Sequence, residues 1–199
     1  MAPVAGVTSR LSGGVRHSNG VDHRAGGAPA TRLIGVDDAP AITELVCRNR
    51  HFLAPWEPAK DDSYYTVEEQ RALIWAALDR TVRGRMLAHV ILDADGAVQG
   101  RVNLNNIVRG AFQSCNLGYW LAESATGQGL ATKAVASVRR IAFGRLGLHR
   151  IEAGTLERNV RSQRVLERNG FERFGLAPRY LRIDGRWQDH ILFQVINDH

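Results

Sequence analysis

The stretch GYWLAESATGQGLATKAV, residues 118–135, decides the fold of this chain. Its apolar first half is typical of a β-strand, its glycines indicate a tight turn, and its last residues have the pattern of a helix start. A helix that begins directly after such a turn leaves its first backbone N–H groups unpaired, and these groups carry partial positive charge. The stretch therefore predicts a phosphate-binding turn between a strand and a helix.

Several ligands compete for this turn. A P-loop is excluded because Lys133 follows Thr132, whereas that motif places its lysine after a glycine. A dinucleotide-binding turn is disfavoured because Thr132 stands where a third glycine must allow close packing of the helix on the strand. The pyrophosphate of coenzyme A needs successive backbone N–H groups, which Gly127 to Thr132 can supply. A tight connection that binds no ligand remains the alternative.

Upstream of the turn, strand and helix patterns alternate. ATRLIGV at residues 30–36 predicts a short first strand, and Asp38 is the expected cap of the first helix. Thr66 and Glu69 form a capping box ahead of a second helix. Two further strand patterns flank the Asp-Gly pair at residues 95–96, which is a strong hairpin signal.

The remaining elements complete one domain. A strand at about residues 114–122 enters the glycine turn, and RIEAGTL predicts another strand after the following helix. NVRSQRVLERNG predicts a short helix that ends at Gly170, and the chain closes as a hairpin that turns at residues 184–185. The pattern predicts an α/β (α+β) domain with a mixed, mostly antiparallel sheet and helices on both faces.

Composition separates this domain from the start of the chain. Residues 1–28 are rich in glycine, alanine and serine and contain one acidic residue, so we expect a flexible N-terminal tail ahead of a domain at residues 29–199. The 199 residues are 44% hydrophobic, which is enough for a buried core. No apolar run approaches the roughly 20 residues that span a bilayer, so we expect no membrane association.

Charge and cysteine usage narrow the functional classes. The formal net charge of +6 favours an acidic partner, either nucleic acid, a ribosome surface or a polyphosphate ligand, although scattered arginines are also typical of a GC-rich genome. Cys47 and Cys115 lack metal-type spacing, and the seven histidines do not cluster, so we expect no metal. The two thiols predict a reducing, cytoplasmic location, with both buried or half-buried.

The glycine turn and four other segments carry a family resemblance. TGQGLA, residues 126–131, resembles the coenzyme A loop of the GCN5-related N-acetyltransferase (GNAT) family, although Thr126 replaces the usual arginine or glutamine. LHRIEAGTLERNVRSQRVLERNGFERFG resembles the second half of the acetyl-CoA site in the RimJ/RimL branch of that family. NRHFLAPWEP, NNIVRGAFQSCNLGYW and YLRIDGRWQDHIL resemble the ribosomal-protein-alanine N-acetyltransferases of this branch. The resemblance covers roughly residues 30 to 195.

The resemblance implies a fold, a cofactor and a reaction. We expect a GNAT fold with a splayed central strand, acetyl-CoA as cofactor, and no metal. The expected reaction is direct attack of a protein N-terminal α-amine on the thioester, with an Ala- or Ser-starting acceptor of the ribosomal-protein type. The basic surface would then contact the ribosome or rRNA. Two alternatives stay open: an acyltransferase for a small-molecule amine or another acyl group, and a non-catalytic ribosome-associated factor that retains the fold.

The resemblance also assigns cofactor-binding residues. Asn159 would contact the pantetheine arm, although an asparagine there can also cap the following helix. Ser162 would lie beside the thioester sulfur and protonate the departing thiolate, unless it faces solvent. The strand before the turn would offer backbone groups to the pantetheine amides. The complete set of expected cofactor contacts is Trp120, Leu121, Gly127, Gln128, Gly129, Leu130, Ala131, Thr132, Asn159 and Ser162.

Catalysis needs few further groups, because an α-amine with a pKa near 7.7–8.0 is already partly neutral at physiological pH. Glu57 in PWEP, Glu123 after the cofactor strand, and Asp189 are the candidates for a base, and Asp189 is also a candidate substrate contact. Trp56 is expected to form one wall of a peptide groove. Tyr180 is a rival to Ser162 as proton donor.

Overall fold

The computed structural model of the chain describes residues 30–197. In this part of the chain the alternating patterns form seven strands and five α-helices: β1 (Thr31–Leu33), α1 (Ala39–Arg48), α2 (Arg50–Leu53), α3 (Val67–Val82), β2 (Leu87–Leu92), β3 (Val98–Val108), β4 (Ser114–Leu121), α4 (Leu130–Arg140), β5 (Arg150–Leu156), α5 (Val160–Arg168), β6 (Glu172–Ile183) and β7 (Arg186–Ile196). The strands form one sheet in the order β1-β2-β3-β4-β5-β7-β6. Only β4 and β5 run parallel, which confirms the mixed, mostly antiparallel sheet.

Helices cover both faces of the sheet and create two apolar cores. On one face, Ile42 of α1 and Ile74 of α3 pack against β2. On the other face, Val135 of α4 and Leu166 of α5 pack against β3, β4 and β5. Because β2 has helices on both sides, all six of its residues are buried, as is typical of a doubly covered strand.

The start of α1 differs from the expectation. Asp38 precedes the helix, but its side chain makes no capping hydrogen bond to α1. Its carboxylate accepts two hydrogen bonds of 2.7 Å from Arg32 and one of 2.8 Å from the N–H of Gly35. Asp38 therefore stands at the N-cap position of α1 as expected, but its carboxylate does not cap the helix because the ion pair with Arg32 of β1 occupies it. At α3 the expected cap is present, since Thr66 Oγ1 accepts from the N–H of Glu69 at 3.2 Å.

Both expected hairpins are present. Gly96 has a φ of 81° in the turn between β2 and β3. In the turn between β6 and β7, Asp184 and Gly185 have φ values of 51° and 72°. Two successive positive φ values are the geometry of a type I′ turn, which is why Asp-Gly pairs favour it.

The central pair of strands separates along its length. β4 and β5 are hydrogen-bonded only where Ser114–Asn116 lies beside Arg150–Glu152. From Leu117 onwards β4 keeps its ladder with β3 but has none with β5. This confirms the splayed central strand, and it leaves the edge of β4 open between the two strands.

Three other expectations concern the whole chain. The proposed tail at residues 1–28 and its boundary lie outside the described residues. Cys115 is buried as expected, whereas Cys47 is exposed on α1, so the expectation of two buried or half-buried thiols is wrong for Cys47. Within residues 30–197, no helix combines the length and the apolar character needed to cross a membrane.

Candidate functional site

The separation of β4 from β5 opens two adjoining clefts. The outer cleft has a volume of about 860 Å³ and runs from the glycine turn at residues 125–132 to the start of α5. The inner cleft has a volume of about 150 Å³ and lies between residues 117–119 of β4 and residues 153–156 of β5. Trp56, Tyr119, Asn159 and Ser162 line both clefts. These four residues therefore mark the junction at which two bound molecules would meet.

The glycine turn presents unpaired backbone donors to the outer cleft. Gly127 and Gly129 have φ values of 78° and 77°, which only glycine adopts without strain. None of the N–H groups from Gly127 to Thr132 donates to another described residue, whereas the N–H of Lys133 donates to the carbonyl of Gly129. Converging free N–H groups at a helix N-terminus suit a pyrophosphate. The turn thus fits the ligand that the sequence predicts.

Basic side chains also line the outer cleft. Arg161, Arg164 and Arg168 line it from α5, and their spacing of three and four residues places them on one face of the helix. Arg158 lines it from the loop that precedes the helix. A ligand with several phosphates would therefore meet both the glycine turn and the arginines.

Most of the expected cofactor residues line the outer cleft. Trp120 and Leu121 of β4 lie along it, together with the glycine turn, Asn159 and Ser162. Of the ten expected cofactor contacts, Gln128 is the one that does not line this cleft. Its side-chain amide donates to the carbonyl of Ser124 at 2.9 Å, and the residue is exposed beside the turn.

Asn159 holds the start of α5. Its Oδ1 accepts from the N–H of Ser162 at 3.1 Å, which is the geometry of a helix N-cap. The structural role that the sequence left open is therefore present. The side-chain Nδ2 makes no hydrogen bond within residues 30–197 and remains available as a donor in the cleft.

Ser162 forms a hydroxyl pair with Tyr119. The two oxygens are 2.9 Å apart, and Tyr119 Oη also lies 3.2 Å from the carbonyl of Ser162. Burial raises the pKa of Tyr119 to about 12, against the opposing effect of the Ser162 hydrogen bond, so the phenol keeps its proton at neutral pH. The sequence did not single out Tyr119. No local pattern signals this pair, because the partners are 43 residues apart.

Trp56 and Arg158 form one side of the junction. The Arg158 guanidinium lies 5.8 Å from the centroid of the Trp56 ring. It donates to the carbonyl of Pro55 at 3.0 Å and to Oε1 of Gln188 at 3.1 Å. Arg158 thereby joins the loop after α2 to β7 and holds Trp56 at the clefts.

The acidic candidates lie elsewhere. Glu57 is half-buried, and burial raises the pKa of its carboxyl against the opposing charge of Lys60, but Glu57 lines neither cleft. Glu123 is exposed, and its backbone N–H donates to Oδ1 of Asn49 at 2.8 Å. Asp189 is also exposed, and its Oδ1 accepts from the N–H of Arg179 at 2.8 Å. The structure thus does not bring these three carboxylates together.

The other proton-transfer candidates lie on the closing hairpin. Tyr180 is 49% exposed and lines neither cleft, and its ring centroid lies 5.3 Å from that of His190. His190 is buried and lines the inner cleft. The sequence did not single out His190. In residues 30–197, no group of three or more His, Cys, Asp or Glu could hold a metal ion.

Comparisons with known proteins agree with this geometry. Residues 32–172 match the family described as acetyltransferase (GNAT) domain. The "Probable N-acetyltransferase YjcK" of Bacillus subtilis is 39% identical over 167 residues, which cover 83% of this chain and 92% of that protein. The ribosomal protein uS5-alanine N-acetyltransferase of Escherichia coli is 36% identical over 162 residues, covering 81% of this chain and 84% of that protein. The structure of Mycobacterium smegmatis RimJ in complex with CoA-disulfide matches with a TM-score of 0.81 and 36% identity, over 85% of this chain and 84% of that one.

Proposed function

The chain belongs to the acetyltransferase (GNAT) family, and we propose that it transfers the acetyl group of acetyl-CoA to the α-amine of a protein N-terminus. The observation that carries the proposal is the junction of the two clefts at Tyr119 and Ser162. The outer cleft leads to it from the glycine turn, and the inner cleft leads to it from the gap between β4 and β5. A donor and an acceptor can therefore approach the same point from different directions.

Acetyl-CoA would bind along the outer cleft. The N–H groups of residues 127–132 would hold the pyrophosphate, and the arginines of α5 would contact the phosphates. The open edge of β4 at Trp120 and Leu121 would pair with the amides of the pantetheine arm, as an added strand does. The M. smegmatis relative has bound CoA-disulfide, which supports this use of the cleft.

The chemistry requires orientation and a proton donor. The thioester supplies an activated acyl group, so the enzyme gains most by holding the amine close to the carbonyl carbon. The Ser162 hydroxyl would give a proton to the departing thiolate, and its hydrogen bond to the protonated Tyr119 supports this role. None of the other candidates for proton transfer lines either cleft, and their roles stay predictions: Tyr180, Glu57, Glu123 and Asp189.

A protein N-terminus is the acceptor that the site favours. By its name, the E. coli relative acetylates an alanine of a ribosomal protein, which supports an Ala- or Ser-starting acceptor here. The described lining of the inner cleft has no carboxylate, whereas a site for a polyamine or an aminoglycoside would need acidic side chains. The net charge of +6 would favour an acceptor presented among rRNA phosphates in the cytoplasm.

A panel of acceptors tests the proposal. The purified chain is incubated with acetyl-CoA and Ala-, Ser- or Met-starting peptides, spermidine or an aminoglycoside, and thiol release is followed. We expect turnover with the Ala- or Ser-starting peptides. The matched control is the same peptide already acetylated at its N-terminus, which has no free α-amine and should give no thiol release. Turnover of only the small amines would refute a protein acceptor. Binding of coenzyme A without turnover of any acceptor would support the non-catalytic alternative.

A further inference from the structure

The inner cleft has a restricted set of side chains. Its described lining has two that titrate, Tyr119 and His190, and the rest are apolar, glycine, hydroxyl or amide residues. Tyr119 retains its proton and so serves as a donor rather than a base. The acceptor amine arrives as an ammonium in part of its population and must lose a proton before it attacks. Among the described side chains that line this cleft, the imidazole is the one that can take that proton.

The hydrogen bond of His190 determines which ring nitrogen is free. Nδ1 lies 3.1 Å from the backbone carbonyl of Gln188. A carbonyl oxygen only accepts, so Nδ1 carries the hydrogen in the neutral ring and Nε2 keeps its lone pair. This arrangement sets the tautomer of a histidine that acts as a base.

The free edge of the ring lies at the cleft. A Cβ at Gly154 would be 3.7 Å from His190 Cδ2, the carbon bonded to Nε2, and Gly154 itself lines the inner cleft. Gly154 therefore places no side-chain atom beside this edge of the ring. The His190 ring is buried and packs against Tyr180 of β6, the strand on the other side of β7 from β5. This packing limits the orientations of the imidazole.

We propose that His190 is the general base of the reaction and accepts the proton of the incoming α-ammonium at Nε2. This assignment rests on the proposed function. His190 replaces the carboxylates as the base because it lines the cleft through which the amine must pass, whereas Glu57, Glu123 and Asp189 do not.

The proton and bond changes balance. One N–H bond of the ammonium breaks, an Nε2–H bond forms, and the imidazolium later releases this proton to water. The amine lone pair then forms a C–N bond with the thioester carbon, and the C–S bond breaks as the tetrahedral intermediate collapses. The sulfur takes a proton from Ser162, and the second proton lost by the new amide nitrogen restores that hydroxyl.

The charged and titratable groups around His190 come from several elements. β6 brings Tyr180, β4 brings Tyr119, and the part of β5 that lines the cleft brings no titratable side chain. Arg158 reaches Gln188, and Asp189 is the adjacent residue on β7 but bonds to the backbone of β6. No carboxylate within residues 30–197 forms an ion pair with His190.

His190→Gln tests the assignment with two acceptors. For an Ala-starting peptide we expect kcat/KM at pH 7 to fall about tenfold, because only about a tenth of an α-amine with a pKa near 7.7–8.0 is neutral at that pH. The loss should narrow above pH 8 as the amine becomes neutral by itself. For an aminooxyacetyl-starting peptide, whose amine is already neutral at pH 7, we expect rates near those of the unmodified chain. His149→Gln, at an exposed histidine, is the matched control. Glu57→Gln is run in parallel, and the same acceptor-dependent loss in that variant, with none in His190→Gln, would overturn the assignment.

The outcomes separate the assignment from the proposed function. If the unmodified chain acetylates no peptide, the proposed function fails and the base assignment fails with it. If it acetylates the peptide and His190→Gln has an unchanged pH profile, the base assignment alone fails. A third measurement needs no variant: nitrogen NMR of the intact protein should show His190 protonated at Nδ1, and an Nε2-protonated neutral ring would overturn the proposal.

Discussion

The hydroxyl pair of Tyr119 and Ser162 joins β4 to the first turn of α5 at the junction of the clefts. We expect Ser162→Ala to lower kcat about 100-fold, because the departing thiolate loses its proton donor. The affinity for coenzyme A should change little, since the turn and the arginines are unaffected. Kinetics with an Ala-starting peptide and calorimetry with coenzyme A measure the two quantities.

Tyr119→Phe completes the comparison. Removal of the phenol leaves Ser162 in place, so we expect a smaller loss of kcat, and the double variant should be no worse than Ser162→Ala because the two hydroxyls act as a unit. Tyr180→Phe examines the rival donor. A larger loss in Tyr180→Phe than in Ser162→Ala would transfer the proton-donor role to Tyr180.

Asn159 combines a helix-capping contact with a proposed ligand contact, and two substitutions separate them. Asn159→Ser keeps a capping oxygen but loses Nδ2, whereas Asn159→Ala loses both. We expect both variants to bind coenzyme A more weakly, and only the alanine variant to lose about 1 kcal/mol of stability. Thermal unfolding and calorimetry report the two effects. Unchanged affinity in Asn159→Ser would show that Asn159 is only a helix cap.

At the scale of elements, α5 presents its arginines to the outer cleft as one face. We expect Arg161→Gln combined with Arg164→Gln to weaken coenzyme A binding about tenfold, because each exposed arginine–phosphate contact contributes modestly. The same double substitution should weaken the binding of 3′-dephospho-coenzyme A by a smaller factor, because that ligand lacks one of the phosphates. The matched control is Arg71→Gln with Arg80→Gln on α3, which packs on the opposite face of the sheet. Equal losses in the two double variants would indicate a general charge effect.

At the scale of the whole molecule, His89 links the fold to pH. Its imidazole is buried on β2, with Nδ1 3.1 Å from Thr31 Oγ1 of β1. Burial, assisted by the charge of Arg145, lowers the pKa of His89 from 6.5 to about 4. As the pH falls, the imidazole of the unfolded chain therefore takes up a proton before that of the folded chain does. The contribution of His89 to the free energy of unfolding is thus fully present above pH 6.5 and is lost as the pH falls towards 4.

Thermal unfolding between pH 7 and pH 4 checks this expectation. The melting temperature should fall over that interval, and His89→Gln should flatten the fall even if its melting temperature at pH 7 is lower. His149→Gln, at an exposed histidine, should retain the slope of the unmodified chain. A slope unchanged by His89→Gln would assign the pH dependence to other groups.

Much of this fold was predictable from short stretches of sequence. The Asp-Gly turn at residues 184–185, the cap at Thr66 and the glycine turn at residues 127–129 all depend on neighbours within a few positions. Local chemistry of this kind survives folding because it involves the same atoms in any context. Asp38 was the exception, since Arg32 on β1 competed successfully for its carboxylate.

The site divides in a similar way. The glycine turn and Asn159 could be found from their motifs, and the resemblance to one family supplied the cofactor. The resemblance also supplied Ser162. Its partner Tyr119 and the imidazole of His190 could not be found in this way, because they come from β4 and β7 and share the inner cleft with Ser162 only in the folded chain. Sequence alone drew attention to the carboxylates Glu57, Glu123 and Asp189, which folding places outside both clefts.

The order of residues was sufficient for most of the strands and helices, the phosphate-binding turn and the family, since each depends on contacts between near neighbours or on motifs in a set order. The tertiary structure alone decided which side chains share the clefts. That outcome depends on where β4 leaves β5, how α5 is oriented over the gap, and which groups become buried. Burial keeps Tyr119 protonated, and a backbone carbonyl sets the tautomer of His190. Both effects arise from atoms that are distant in the chain and adjacent only in the folded molecule.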